Sequence, residues 1–230
     1  MVGLIPLLLL RPFSPYTLSM PRPLTALSLG SGGVNGFVPL IAGDAEGQLY
    51  APQANAPTPI GRVPGTVLEL RCLGDLTFVV AYTRPEGLVK VELWERDGGT
   101  SRRSAFLLTL PVGSRPLLAV GPGGLAVGHA RGRRAWLFDQ RGETQRSVFE
   151  LAEGLVGLAV RHDDRSGPPA LVAAYENGGT EAYGAEGSLL WRRSVPSRGK
   201  LLSFEGSGRG DHAAWATDEA LCQLEDTSLS

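Results

Sequence analysis

Ala170–Val195 reads ALVAAYENGGTEAYGAEGSLLWRRSV. An apolar strand runs into a polar, Gly-containing turn, then an alternating strand, a second turn and an edge-like strand. That layout recurs about five times along the 230 residues. Matching points near the end of each second strand fall at Gly43, Tyr82, His129, Tyr175 and Thr217, separated by 39, 47, 46 and 42 residues. Strand-only units of this size cannot bury their own apolar faces. They must stack on one another, and few architectures allow it.

Within each unit four strands, a to d, can be read. The a strands are Leu24–Gly30, Thr66–Gly74, Pro116–Gly121, Leu155–His162 and Lys200–Glu205. The b strands, Phe37–Ala42, Thr77–Tyr82, Leu125–His129, Ala170–Tyr175 and His212–Ala216, are apolar almost throughout. Such runs mark strands buried on both faces. The c strands, Gln48–Ala51, Lys90–Glu95, Arg134–Asp139, Thr180–Tyr183 and Ala220–Leu224, alternate and so sit nearer solvent. Four d strands follow, Pro59–Val63, Ser104–Leu110, Gln145–Leu151 and Leu189–Val195, and the fifth unit lacks one.

The expected fold is therefore all-β: a small β-propeller of about five four-stranded blades in one domain spanning 1–230. The blades are expected at about 24–65, 66–112, 113–153, 154–198 and 199–230. Val2–Leu10, VGLIPLLLL, is expected to close the ring as the missing outer strand, with 11–23 as connector. It is too short for a membrane-spanning helix and has no basic residues before it. A degenerate export signal or anchor, and a chain start at Met20, are the alternatives for this segment.

Composition narrows the function classes. With 31 Gly and 17 Pro punctuating apolar runs, the chain reads as many short strands joined by turns. A formal net charge of −1 supplies no global attraction to nucleic acid or anionic membrane. Two cysteines, Cys72 and Cys222, exclude a disulfide framework and fit a reducing, cytoplasmic setting.

Ala182–Trp191, AYGAEGSLLW, resembles the end of a quinoprotein-like (PQQ-type) repeat: an alanine and aromatic, a turn, Gly, then a strand bearing Trp. Leu137–Glu143, LFDQRGE, has the Asp-X-X-Gly turn of such repeats, and Gly43–Tyr50, GDAEGQLY, resembles the preceding hairpin. Gly184 stands where Asp is usual, and WD-type signatures are weaker still. The resemblance implies a propeller of the quinoprotein-like or WD-like kind. It implies no PQQ, because cofactor-bearing members have larger rings and a calcium site. Non-enzymatic members of the class act as scaffolds that bind other proteins.

No convergent catalytic, cofactor or metal set is legible. His129, His162 and His212 lie in separate units without ligand spacing. Gly30-Ser31-Gly32-Gly33 lacks the Lys-Ser/Thr of a phosphate loop. Arg209-Gly210-Asp211 and His162-Asp163-Asp164 read as solvated loops, and the Arg102-Arg103, Arg131/Arg133/Arg134 and Arg192-Arg193 clusters as solvated turns.

The candidate site is geometric. The b–c loops gather on one rim, where they present Asp44, Glu46, Arg84, Glu86, His129, Arg131, Glu176, Asn177, Asp218 and Glu219. That ring is mixed but acid-leaning and suits a basic protein partner. The functional expectation is a non-catalytic scaffold or structural subunit, either a monomeric ring or part of a complex, with no cofactor, nucleic acid or membrane span. The alternative is a carbohydrate-binding or carbohydrate-active five-bladed propeller. A glycosidase needs two facing carboxylates, and the a strands offer only Glu69 and Glu205.

Overall fold

The computed structural model describes residues 21–29, 40–53, 56–74, 76–97, 99–121, 123–160, 171–194, 200–207, 210–216 and 221–225. Sheet 1 contains β1 (Leu24–Leu29), β2 (Leu40–Asp44), β3 (Gln48–Gln53) and β4 (Ala56–Arg62). Sheet 2 contains β5 (Thr66–Cys72), β6 (Thr77–Thr83), β7 (Val89–Asp97) and β8 (Thr100–Leu110). Sheet 3 contains β9 (Pro116–Gly121), β10 (Gly124–His129), β11 (Arg134–Phe138) and β12 (Gln145–Glu150). Sheet 4 contains β13 (Leu155–Val160), β14 (Leu171–Tyr175), β15 (Gly179–Tyr183) and β16 (Leu189–Ser194). Sheet 5 contains β17 (Lys200–Ser207), β18 (Gly210–Ala216) and β19 (Leu221–Glu225).

Every sheet is an antiparallel meander in chain order. Four sheets have four strands where five were expected, and the fifth has three among the described residues. Val2–Leu10, expected to complete it, lies outside the described residues, as do His162-Asp163-Asp164 and Gly30-Ser31-Gly32-Gly33. The arginine pairs 102–103 and 192–193 lie in β8 and β16, not in turns.

An irregularity shared by sheets 1, 2, 4 and 5 marks them as repeats. The a–b pairing shifts register between Leu24 and Ala26, between Val67 and Glu69, between Leu155 and Gly157, and between Leu201 and Ser203. Each bulge sits at the start of its inner strand. Such bulges add local twist and bend the strand. The bulge register aligns Asp44, Tyr82, Tyr175 and Trp215, where the sequence alignment had Gly43 for Asp44 and Thr217 for Trp215; β10 pairs with β9 without a bulge.

Consecutive sheets pack face to face through their inner strands: β1 on β5, β5 on β9, β9 on β13 and β13 on β17. Side chains of a strand point alternately to its two faces. Phe78, Val80 and Tyr82 of β6 therefore join Leu49, Ala51 and Ile60 between sheets 1 and 2. Val79 and Ala81 of the same strand join Leu125 and Val127 between sheets 2 and 3. Ala126, Leu137, Leu171 and Ala173 fill the space between sheets 3 and 4. This explains the continuous apolar runs of the b strands: both faces are core. Truncating one such Leu to Ala costs about 2–5 kcal/mol.

Two glycines mark where the sheets approach too closely for a side chain. A Cβ on Gly43 would lie 2.6 Å from Val67 Cγ1, and one on Gly121 would lie 2.1 Å from the Val160 carbonyl oxygen.

Candidate functional site

The b–c turns and the d–a connections meet on one face. Val63 N donates to Gly47 O at 2.9 Å, Leu151 N to Arg133 O at 2.8 Å and Gly113 N to Gly87 O at 3.3 Å. Other bonds cross between sheets. Thr66 Oγ1 donates to Ala45 O at 2.8 Å and Arg131 N to Leu155 O at 2.9 Å. The β2–β3 and β10–β11 turns are thus held both by their own sheet and by the next. The result is a stitched polar rim.

The predicted rim residues divide into three groups. Glu46, Arg84, Glu86, Arg131, Glu176 and Asn177 are exposed there, and His129 is half-buried with Nδ1 3.3 Å from Ala130 O. Asp218 and Glu219 lie outside the described residues. Asp44 departs from the expectation. It is buried and occupied within its own hairpin, where Oδ1 accepts from Glu46 N and Gln48 N, both at 2.9 Å, and Oδ2 accepts from Tyr50 Oη at 3.0 Å. A short acid at the end of a strand caps the turn that follows it. The carboxylate has no face left for a partner.

The described rim is charge-paired where an acid-leaning ring was expected. Glu46 pairs with Arg22, Glu86 with Arg84 at 3.2 Å, Glu176 with Arg131 at 3.0 Å and Glu153 with Arg133. Arg131 adopts φ 60, left-handed for a non-glycine residue, and the hydrogen bond that its backbone N–H donates to Leu155 O helps to hold it there.

Beneath the surface lies a polar constellation that sequence reasoning missed. In sheet 2, Tyr82 Oη donates to Glu92 Oε1 at 3.0 Å and Trp94 Nε1 donates to Glu92 Oε2 at 3.3 Å. Arg103 on the outer strand completes the set at 3.4 Å. In sheet 4, Tyr175 and Tyr183 both donate to Glu181 Oε2, and Arg192 Nε donates to Oε1 at 2.6 Å. Glu92 lies opposite Val80 and Glu181 opposite Ala173, each two residues before the tyrosine, so the positions are equivalent. Sheet 1 exchanges the partners: Asp44 takes the tyrosine position, and Tyr50, opposite Ala42, takes the acid position. In sheet 3 the acid position is Trp136, opposite Val127.

These bonds govern the titration of the groups. Burial, reinforced by Glu92, pushes the Tyr82 phenol up to about 12. Burial and the Glu181 bond push Tyr183 up to about 12 and raise Tyr175 as well. Burial pushes the Glu181 carboxyl up, but the bonds from Tyr175, Tyr183 and Arg192 outweigh it and hold the group below its ordinary value. Buried acids so fully engaged act as structural joints.

A cavity of about 780 Å³ runs between the inner strands, walled by residues such as Leu27, Leu70, Leu118 and Leu158, with Arg115 in the β8–β9 connection. Glu69, one of the two inner-strand acids, is ion-paired to Arg71 at 2.7 Å, and Arg71 Nε donates to Leu118 O at 3.2 Å. The Glu205 side chain is outside the described set. Among the described residues, no three His, Cys, Asp or Glu side chains are grouped as a metal site, and no helix is long and apolar enough to cross a membrane.

The meanders, their shared bulge and their serial packing have counterparts in solved structures. A crystal structure of BBS1N in complex with ARL6DN matches 90% of this chain at TM-score 0.65 and 17% identity, over 66% of its own length. The WD40 β-propeller domain of Doa1 matches 88% of this chain at TM-score 0.58 and 14% identity, over 63% of its length. The fold is a β-propeller. The β-propeller domain of Cps50 (Swd1) from Myceliophteria thermophila also matches, at TM-score 0.59 and 14% identity over 90% of this chain and 71% of that one. The chain thus spans roughly two thirds of the propellers it resembles. No family model and no curated protein matches the sequence. The similarities carry the propeller fold and leave the quinoprotein-type resemblance where the sequence put it.

Proposed function

We propose that this propeller is a non-catalytic scaffold, a protein-interaction module or structural subunit whose stitched rim meets a protein partner. One observation carries the reading: the rim turns of successive sheets are tied to one another by the Thr66–Ala45, Arg131–Leu155 and Arg131–Glu176 contacts. A surface held this rigidly loses little conformational entropy on binding. Its charged groups remain exposed, so they can exchange an internal partner for an external one at small cost. The BBS1N propeller, solved in complex with ARL6DN, is an instance of a similar fold holding another protein. The free, buried Cys72 thiol fits a reducing, cytoplasmic setting.

The test is co-purification of the native protein with its partners, an intact mass for the complex, and repetition with Glu46→Lys, Glu86→Lys and Glu176→Lys together. A stoichiometric protein partner lost on charge reversal supports the rim. Retention of every partner by the triple variant counts against it.

A further inference from the structure

The turns that join the second and third strands of sheets 1, 2 and 4 share one closure. Gly47 N donates to Asp44 O at 3.2 Å, Gly87 N to Arg84 O at 2.8 Å and Gly178 N to Tyr175 O at 3.0 Å. The three glycines have φ 83, 82 and 81. The residue before the glycine is Glu46 in sheet 1 and Glu86 in sheet 2, but Asn177 in sheet 4. All three are exposed. Sheet 4 carries a neutral amide where sheets 1 and 2 carry a carboxylate.

Asparagine followed by glycine is a reactive pair. Gly178 has no side chain to shield its nitrogen, and attack of that nitrogen on the preceding side-chain amide closes a five-membered imide. Asparagine is thermolabile for this reason. The turn adds a second feature. Gly179 N donates to Asn177 Oδ1 at 2.8 Å. That bond folds the amide back over its own following backbone. It also polarises the oxygen on which negative charge develops during attack.

We infer that Asn177 is a self-modifying site, at which the amide on the rim becomes a carboxylate. The Gly178 nitrogen bonds to Asn177 Cγ, the Cγ–Nδ2 bond breaks, and ammonia leaves with the proton from Gly178. Water then adds to either carbonyl of the imide and opens the ring. One opening leaves aspartate; the other leaves an isoaspartyl link in which the chain runs through Cγ. Water enters, ammonia departs, and nothing is oxidised or reduced. The Gly178–Tyr175 bond must open for the attack, while the pairing of Ala174 with Thr180 stays closed.

The new charge has a defined setting. Asn177 shares a hollow of about 450 Å³ with Arg131, Glu153, Gly154 and Glu176. Arg131 there is paired with Glu176 at 3.0 Å, and Glu153 is paired with Arg133. A carboxylate at 177 adds a third acid to two balanced pairs. It gives sheet 4 the acid that sheets 1 and 2 hold at this turn position. The inference goes beyond the scaffold reading and does not depend on it.

The test ages the purified full chain in heavy-oxygen water at mildly alkaline pH, well below its unfolding temperature. Trypsin releases residues 166–192 as a peptide whose sole asparagine is Asn177. This separates it from Asn35-Gly36, which lies outside the described residues. The peptide should divide into asparaginyl, aspartyl and isoaspartyl forms, the last two carrying heavy oxygen. The folded protein should move on anion exchange to the position of Asn177→Asp, and Asn177→Gln should stay unmodified. Gly43→Ala, which lowers global stability from sheet 1, should leave the rate unchanged. An intact Asn177 in the folded chain, after the free 166–192 peptide has converted, would overturn the inference. Acceleration by Gly43→Ala in step with its lost stability would also overturn it, since the reaction would then wait for unfolding. Either failure leaves rim binding untouched, because the Glu46, Glu86 and Glu176 charge reversals read that separately.

Discussion

Tyr82 donates a 3.0 Å hydrogen bond to Glu92, and Tyr175 donates to Glu181 from the same register position two sheets further on. Each acid is buried, yet each reaches an arginine on the exposed outer strand, Arg103 or Arg192. The arginine heads stay partly in water while the acids collect donors from both neighbouring strands. A buried charge held this way is inexpensive only while every donor is in place.

Glu181→Leu should therefore orphan two tyrosine hydroxyls, at about 1–3 kcal/mol for each unsatisfied group. Glu181→Gln keeps one acceptor and should cost about half as much. The midpoint of urea unfolding should fall in that order with an unchanged slope. If Leu and Gln prove equally mild, the constellation contributes no stability.

The pH dependence follows from the directions of the shifts. Glu181 titrates lower in the folded chain than its ordinary 4.5. Its contribution is present above about pH 4.5 and disappears as pH falls through the lower folded value. Tyr82 and Tyr183 rise from 10.0 to about 12. Their contribution is complete below about pH 10 and is lost as pH climbs toward 12. Phenolate absorbance should thus lag behind that of free tyrosine and appear together with unfolding. Glu181→Gln should flatten the acid limb of stability. Early, non-cooperative phenolate formation would refute the burial of these hydroxyls.

The strands were legible because their periodicity is a direct consequence of packing. The b strands lack alternation since both faces are core; the c strands alternate in sequence and were expected nearer solvent, yet Val91–Trp94 and Thr180–Tyr183 are buried on both faces. Val2–Leu10, expected as the closing strand, lies outside the described residues. The buried acids were harder to see. The signal exists as Tyr82, then Glu92-X-Trp94, then Arg103, and again as Tyr175, then Glu181-X-Tyr183, then Arg192. It is hidden because charged residues on alternating strands read as solvent-facing. Asp44 misled for a related reason: an acid beside a turn looks exposed until the amides of Glu46 and Gln48 are seen to claim it.

Gly43 and Gly121 set the spacing between sheets, with different penalties for a methyl group. At Gly43 the obstacle is the Val67 side chain, which can rotate, so Gly43→Ala should cost about 1–3 kcal/mol as ordinary overpacking. At Gly121 it is the Val160 carbonyl, which cannot move without shifting β13. Gly121→Ala should be the worse of the two by thermal unfolding. Val67→Ala should rescue Gly43→Ala in part, and no relief would mean that the approach of sheets 1 and 2 is not set at this contact.

Rim charges should separate binding from folding. Both members of the Arg131–Glu176 pair are exposed, so the pair contributes about 0–1 kcal/mol. Glu176→Lys places a second cation beside Arg131, yet the backbone bonds Glu176 N to Gly154 O and Arg131 N to Leu155 O still hold both turns. Thermal stability should be nearly unchanged, while the affinity of a rim-binding partner should fall and its salt dependence should change. Glu181→Gln should do the reverse, lowering stability while leaving rim binding intact below the unfolding temperature. A Glu176→Lys protein that unfolds early would assign the rim pair to the fold and remove it from the binding surface.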